Sequence, residues 1–336
     1  MIRRIGSRTI GFEEGPVITG FAAVAGKKES AGPLSNFFDR IIYDIYNGLD
    51  TFEDAESRMQ AEAVSLALEK SGLRADEIDY IFAGDLLNQC TGSSFGLRDF
   101  GIPYLGQYGA CSTMGQGLLM SAVFVESDTA KNAVCATSSH FCSAERQYRF
   151  PLEYGGVRTP TAQWTVTGAG SCTVSKRGKG VIIARATVGT IRDMGITDPN
   201  NMGAAMAPAA ADTLVTYFRD TGTAPSDYDL ILTGDLGLVG SRNLYDLLAA
   251  EGVDITAGHK DCGMMIFDRS LQDVHAGGSG CGCCASVFCS KIMRELESGV
   301  LNNILFIPTG ALLSTTSAAQ KKSIPSIAHL LNIKNR

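Results

Sequence analysis

Apolar positions along this chain recur with two different periods, and the switches between them mark the elements. From Phe52 to Ser71 they return every three or four residues, the spacing of one helix face, and the run stops at Gly72. Ala204 to Thr221 repeats that pattern and stops at Gly222. Each helical run is followed by a short β-prone run ending in the same tripeptide. The first is Ile78-Asp79-Tyr80-Ile81-Phe82-Ala83-Gly84-Asp85-Leu86; the second is Tyr228-Asp229-Leu230-Ile231-Leu232-Thr233-Gly234-Asp235-Leu236.

The repeat continues downstream. Gly109-Ala110-Cys111-Ser112-Thr113 opens a helix to about Glu126, followed by a strand from Ala133 to Thr137. Gly278-Ser279-Gly280-Cys281-Gly282 opens a helix to about Glu297, followed by a strand from Asn303 to Ile307. Counting back from those strands sets Cys111 against Cys281. Val17-Ile18-Thr19 and Val181-Ile182-Ile183 form a first-strand pair. The pattern predicts an α/β protein of two repeated βαβαβ halves, residues 1–175 and 176–336, each with a mostly parallel sheet. Packing through the helices at Ser112 and Cys281 gives a five-layer αβαβα arrangement. Residues 139–165 and 186–203 read as loop-rich excursions over the sheet ends, where open α/β folds bind ligands.

Composition narrows the function classes. The 336 residues are 45% hydrophobic and 19% charged, enough for a large core, and the formal net charge of −6 leaves no basic excess for nucleic acid. The mildly basic ends (Arg3, Arg4, Arg8; Lys321, Lys322, Lys334, Arg336) read as solubilising. The longest apolar runs, Ile304 to Ile307 and Met206 to Ala211, are far shorter than the roughly 20 residues of a bilayer span. No secretory leader is expected from Met1 to Ile10. The ten cysteines are therefore read as thiols of a reducing compartment. Cys281, Cys283, Cys284 and Cys289 do not have zinc spacing, and their small neighbours suggest tight helix packing, so no metal or cofactor is expected.

Cys111 is the candidate centre of chemistry. Small residues before it allow a sharp turn, and a thiol at a helix start gains from unpaired amides and the helix dipole. The same amides could hold an oxyanion or a carboxylate. His140, after the neighbouring strand in Ser138-Ser139-His140, could reach a common cavity. His275 is a weaker candidate, while His259 and His329 read as solvated. Asp85 and Asp235 end the repeated strands, where an aspartate commonly caps a turn.

Gly109-Ala110-Cys111-Ser112 resembles the nucleophile turn of the thiolase superfamily, in particular its ketoacyl-acyl-carrier-protein synthase III type. Thr167 to Val174, Met206 to Thr213, Gly277 to Cys281 and Thr309 to Ser314 are similar to further landmarks of that fold. More closely, the chain resembles the stage V sporulation protein AD family of endospore-forming bacteria. The stretches that carry this are Ala83 to Gln89, Ala136 to His140, Ala144 to Gln147, Tyr154-Gly155-Gly156, Gly195 to Asp198, Met206 to Thr213 and Ala276 to Cys281.

A condensing enzyme of this superfamily pairs its cysteine with a histidine after a second-half strand and with an Asn or His at the later glycine-rich turn. Here the first position falls at Asp235 or its neighbours in Thr233-Gly234-Asp235-Leu236-Gly237-Leu238, with no histidine, and the second at Gly277-Gly278. The sequence thus favours a protein without catalysis. The family resemblance implies binding of dipicolinic acid or its calcium chelate, for transport into the forespore and release at germination. Cys111, Ser139, His140 and Arg146 are the expected ligand-binding set, with Arg149, Arg158 or Arg192 as substitutes for Arg146. It also implies peripheral association with the forespore or inner spore membrane beside channel subunits, and a homodimer. The alternative is an acyltransferase or condensing enzyme that forms a thioester on Cys111 with His140 as its base; a scaffold with a vestigial pocket is a third reading.

Overall fold

A computed structural model describes residues 1–149 and 157–335. The Tyr154-Gly155-Gly156 stretch and the Arg149 side chain lie outside what is described.

Ten of the thirteen strands in the main sheet among the described residues form two runs of the same order, and Ile2–Ile5, Thr9–Phe12 and Arg40–Ile42 pair beside them. One run is Val17–Gly26, Gly168–Ser175, Asn132–Ser139, Tyr80–Gly84 and Tyr104–Gly106, or first, fifth, fourth, second and third along its half of the chain. The other is Val181–Thr187, Leu330–Lys334, Asn303–Ile307, Leu230–Thr233 and His259–Asp261, again first, fifth, fourth, second and third. The Gly-Asp-Leu repeat is therefore also a repeat of topology. The runs meet at their first strands, where Ile18 and Val17 pair with Val181 and Ile182.

Each run is mixed rather than mostly parallel. Its second, third and fourth strands are parallel, but the fifth is antiparallel to both neighbours. The connections explain the reversal. Among the described residues, no long helical crossover follows the fourth strand of either half to return the chain to the opposite end. A strand that starts near where its predecessor stopped must run back. The excursions before Gly168 and Leu330 are thereby gathered at the end of the sheet that carries Cys111.

The helices follow the expected boundaries closely. Phe52–Ser71 starts at Thr51, whose hydroxyl accepts from the Asp54 amide at 3.1 Å, and ends at Gly72 with φ 72°, a left-handed geometry that costs glycine little. Met202–Thr221 begins two residues before the expected start and ends at Gly222. Between the halves lie Thr113–Glu126 and a second helix from Cys281, which passes through a π turn at Phe288–Ile292 and continues over Met293–Glu297. Both lie close on the sheet because of glycine. A Cβ on Gly117 would sit 2.5 Å from Cys135 Sγ, and one on Gly282 would sit 2.2 Å from the Gly168 carbonyl. Met114, Leu118, Phe288 and Phe306 are fully buried around them, with the Phe288 and Phe306 rings stacked at 4.3 Å.

The two excursions are only partly loop. Phe141–Arg149 is helical, Trp164–Thr165 pairs with Gly278–Ser279, and the second excursion starts with the end of Val181–Thr187. Among the described residues no helix is long and apolar enough to cross a membrane.

Candidate functional site

Cys111 sits in the turn before its helix, which starts at Thr113. Ala110 takes φ 48°, an uncommon conformation for a residue with a side chain, and this presents the buried Cys111 to a narrow cavity of about 40 Å³. That volume has room for about three waters. The cavity walls come from both halves, with Tyr108, Glu145, Tyr148, Gln163 and Thr165 on one side and Asn200, Met202 and Ser279 on the other.

The partners of Cys111 are oxygen atoms. Its Sγ lies 3.9 Å from Ser279 Oγ, a long contact, and Ser279 Oγ donates to Asp235 Oδ2 at 2.7 Å. Asp235 also accepts from the Gly280 amide at 3.0 Å and the Thr309 hydroxyl at 2.8 Å. Burial holds the Asp235 carboxyl above its ordinary range against these bonds. Burial also drives the Cys111 thiol well above the usual value, and the adjacent Asp235 charge pushes the same way. The thiol is therefore not activated.

The amides at the helix starts are spent as well. Ser112 and Thr113 donate to the Gly109 and Ala110 carbonyls, while Gly282 donates to Ser139 Oγ. The anion-holding role expected of this turn has lost those donors to its own tight geometry. Among the described residues no Lys, Arg or His lines the cavity, whereas the buried carboxyl Glu145 does, accepting from Thr165 Oγ1 at 3.0 Å, and Asp235 lies behind the lining residue Ser279. Gln163 donates to the Asp235 and Gly278 carbonyls, leaving its buried Oε1 without a hydrogen-bond partner.

Of the four expected ligand-binding residues, only Cys111 lines this cavity. Ser139 is fully buried, with its hydroxyl between the Val166 carbonyl at 2.7 Å and the Gly282 amide at 2.9 Å. His140 faces another cavity. Its Nδ1 accepts from the Cys142 amide at 3.2 Å, so Nε2 carries the proton and donates to the Ile45 carbonyl at 2.9 Å. Arg146 is exposed and paired with Glu53, and Arg192 pairs with Asp212. Arg158 lies over the Trp164 ring at 4.3 Å.

The other histidines divide. His275 is 3.3 Å from Asp273. His259 is not solvated: it joins Thr233 Oγ1 and Tyr245 OH at 2.8 Å each. Nor is His329, whose Nδ1 accepts from the Gly189 amide at 3.3 Å. Asp85 caps the next turn, accepting from the Leu87 and Ser93 amides.

Asp235 follows the end of the Leu230–Thr233 strand, and from the glycine-rich turn it is Ser279 that reaches it. The repeat register carried that signal, because setting Cys111 on Cys281 also sets Gly109 on Ser279. The cysteines from Cys281 to Cys289 do not converge. Cys281 Sγ donates to the Ala110 carbonyl at 3.0 Å, Cys284 to that of Cys111 at 3.5 Å, and Cys289 lies 3.5 Å from Cys172.

Buried titrating groups give the fold a defined pH response. Burial pushes Glu56 up to about 8, Glu29 to about 7 and Asp261 to about 6, with the Asp85 charge adding to the effect on Glu56. Each keeps its proton in the fold after the unfolded chain has lost it. Their contribution is complete below the unfolded value and lost as pH rises through the folded one. His259 and His329, pushed down to about 4 by burial, oppose this only below about 6.5. Urea unfolding should therefore show about 2 kcal/mol less stability at pH 8 than at pH 6.5. A flat or rising profile would contradict the buried protonation of Glu56 and Glu29.

The fold is thiolase-like, a mixed α/β arrangement shared with solved condensing enzymes. Its solved neighbours include 3-oxoacyl-[acyl-carrier-protein] synthase III from Aquifex aeolicus VF5, with TM-score 0.58 and 12% identity, covering 96% of this chain and all of that one. A variant of OleA from Xanthomonas campestris aligns with TM-score 0.61 and 13% identity, covering 97% and 99%. Residues 6–334 match the family model of Stage V sporulation protein AD. The Stage V sporulation protein AD of Bacillus subtilis (strain 168) is 44% identical over 324 residues, 96% of each chain. The chain belongs to the Stage V sporulation protein AD family.

Proposed function

We propose that this protein binds dipicolinic acid as its neutral calcium chelate in the Cys111 cavity, without catalysing a reaction. One observation carries the choice of form: the carboxyl lining the cavity is the buried Glu145, with Asp235 behind Ser279, and no described cation lines it. A bare dianion there would meet carboxyl groups and spent amides. Calcium in the chelate would instead find the oxygen ligands it prefers, with Gln163 Oε1 an unpartnered carbonyl among them. The cavity is narrow, so entry of a planar ring requires the Pro199 to Met202 wall to move.

In this role the protein would pass the chelate to membrane channel subunits supplied by other chains, during spore formation and again at germination. It would attach to the forespore or inner spore membrane peripherally. The Tyr104–Gly106 edge strand supports pairing of two copies, since it ends the sheet with Tyr104 and Leu105 exposed.

Titration calorimetry decides the form of the ligand. The calcium chelate is expected to bind at least about tenfold more tightly than calcium-free dipicolinate, the size of one favourable charge contact. Equal affinity for both forms would reject the chelate reading, and no heat from either at millimolar ligand would reject dipicolinate binding.

A further inference from the structure

The short strand Trp164–Thr165 has a cavity on each side. Thr165 lines the Cys111 pocket and Trp164 lines a second space of about 380 Å³, as alternating strand residues should. That volume is in the range of small-molecule sites. Ile42, Ala55, Met59 and Phe141 give it an apolar wall. The Trp164 ring is fixed, with Phe141 stacked at 4.0 Å and the Lys28 ammonium 3.5 Å from the ring centre. His140 helps to close the space by holding Ile45, on a segment where Tyr43, Ile45 and Tyr46 are exposed.

The wall also contains an unanswered polar atom. Glu29 is 1% exposed, and its Oε1 accepts from the Thr167 amide at 3.0 Å. Its Oε2 has no hydrogen-bond partner. An orphaned buried carboxyl oxygen costs on the order of 1–3 kcal/mol, which a bound group would recover. Lys27 and Lys28 supply positive charge to the same lining.

We infer that this second cavity binds a monocarboxylate with an apolar body, its carboxylate between Glu29 and Lys28 and its body against Ile42, Ala55 and Met59. A protonated Glu29 donates to the incoming carboxylate, and the Lys28 ammonium offsets the remaining charge. A dicarboxylate would leave its second anion against the apolar wall, so the site selects a different class from the Cys111 pocket. The inference does not rest on the reading of that pocket. Glu29 titrates at about 7, donating below that pH and repelling an anion above it. Lys27, Lys28, Asp44, His140 and Cys142 are the other titratable groups lining the space.

Trp164 is the only tryptophan in the chain and its ring lines this cavity, so its emission reports on occupation of the space. Octanoate, transparent at the wavelengths used, is the probe. At pH 6 it should give a saturable emission change with one site per chain. The midpoint should weaken about tenfold at pH 8 and about tenfold in Lys28→Ala, the size of one charge-assisted hydrogen bond. Ala55→Leu, which narrows the space at its apolar wall, should weaken the midpoint. No saturable change in the wild type would overturn the inference. So would a midpoint indifferent to both pH and Lys28→Ala, or wild-type affinity in Ala55→Leu. If Ala55→Leu does not fold, the pH and Lys28→Ala arms decide.

Discussion

Asp235→Ala is expected to destabilise the protein by about 3–5 kcal/mol, read as a shift of the urea midpoint. Asp235 is fully buried and gathers three donors from two separate segments: the Ser279 hydroxyl, the Gly280 amide and the Thr309 hydroxyl. Truncation strands all three where water cannot readily replace the lost oxygen atoms, and each orphan costs about 1–3 kcal/mol. The hydroxyls can rotate to other acceptors, so the total stays below the simple sum. Asp235→Asn keeps one carbonyl acceptor and should lose less than half as much. A change within about 0.5 kcal/mol for Asp235→Ala would show that the site holds together without it.

The second large effect is an absence of chemistry. Incubation with acetyl- or malonyl-coenzyme A should leave the intact mass unchanged, and iodoacetamide should label Cys111 at least about tenfold more slowly than free cysteine at pH 7. Acyl transfer needs a thiolate and a base. The Cys111 thiol is held protonated by burial and by the Asp235 charge. His140, the base that the alternative requires, has both ring nitrogens engaged outside the Cys111 cavity. A stoichiometric thioester, lost in Cys111→Ser, would restore the acyltransferase reading.

Much of the fold was legible because its repeat is written in local signals. The glycine stops at Gly72 and Gly222 and the paired Gly-Asp-Leu strand ends are short-range features, and the structure has them as expected. Strand direction is not a local property. Nothing within Gly168–Ser175 or Leu330–Lys334 states that the chain enters from the same end at which the fourth strand finished, so the antiparallel fifth strands were missed.

The site was legible in its centre and less so in its surroundings. Cys111 and Asp235 follow from the repeat. His140 shows why proximity in sequence is insufficient: it lies just past the strand end, where the chain turns into Phe141–Arg149, and that turn carries the ring to the other side. Ser139 is consumed by backbone atoms that the sequence does not reveal as neighbours. Glu145 and Gln163 reach the cavity from the excursion read as loop, where no periodic pattern indicates which side chains point inward.

The two cysteines that mark equivalent positions in the halves meet at the middle of the molecule, where Cys281 donates to the carbonyl of Ala110, the neighbour of Cys111. Their helices are held close by the approach of Gly117 to the buried Cys135 Sγ and of Gly282 to the Gly168 backbone carbonyl. Such a centre cannot open like a clamshell. News of an occupied cavity has to leave through its rim, by way of the Trp164–Thr165 ladder or the Pro199 to Met202 wall. Under the proposed function, a partner that senses the ligand would therefore read a changed surface on the protein, not a change in the angle between two halves.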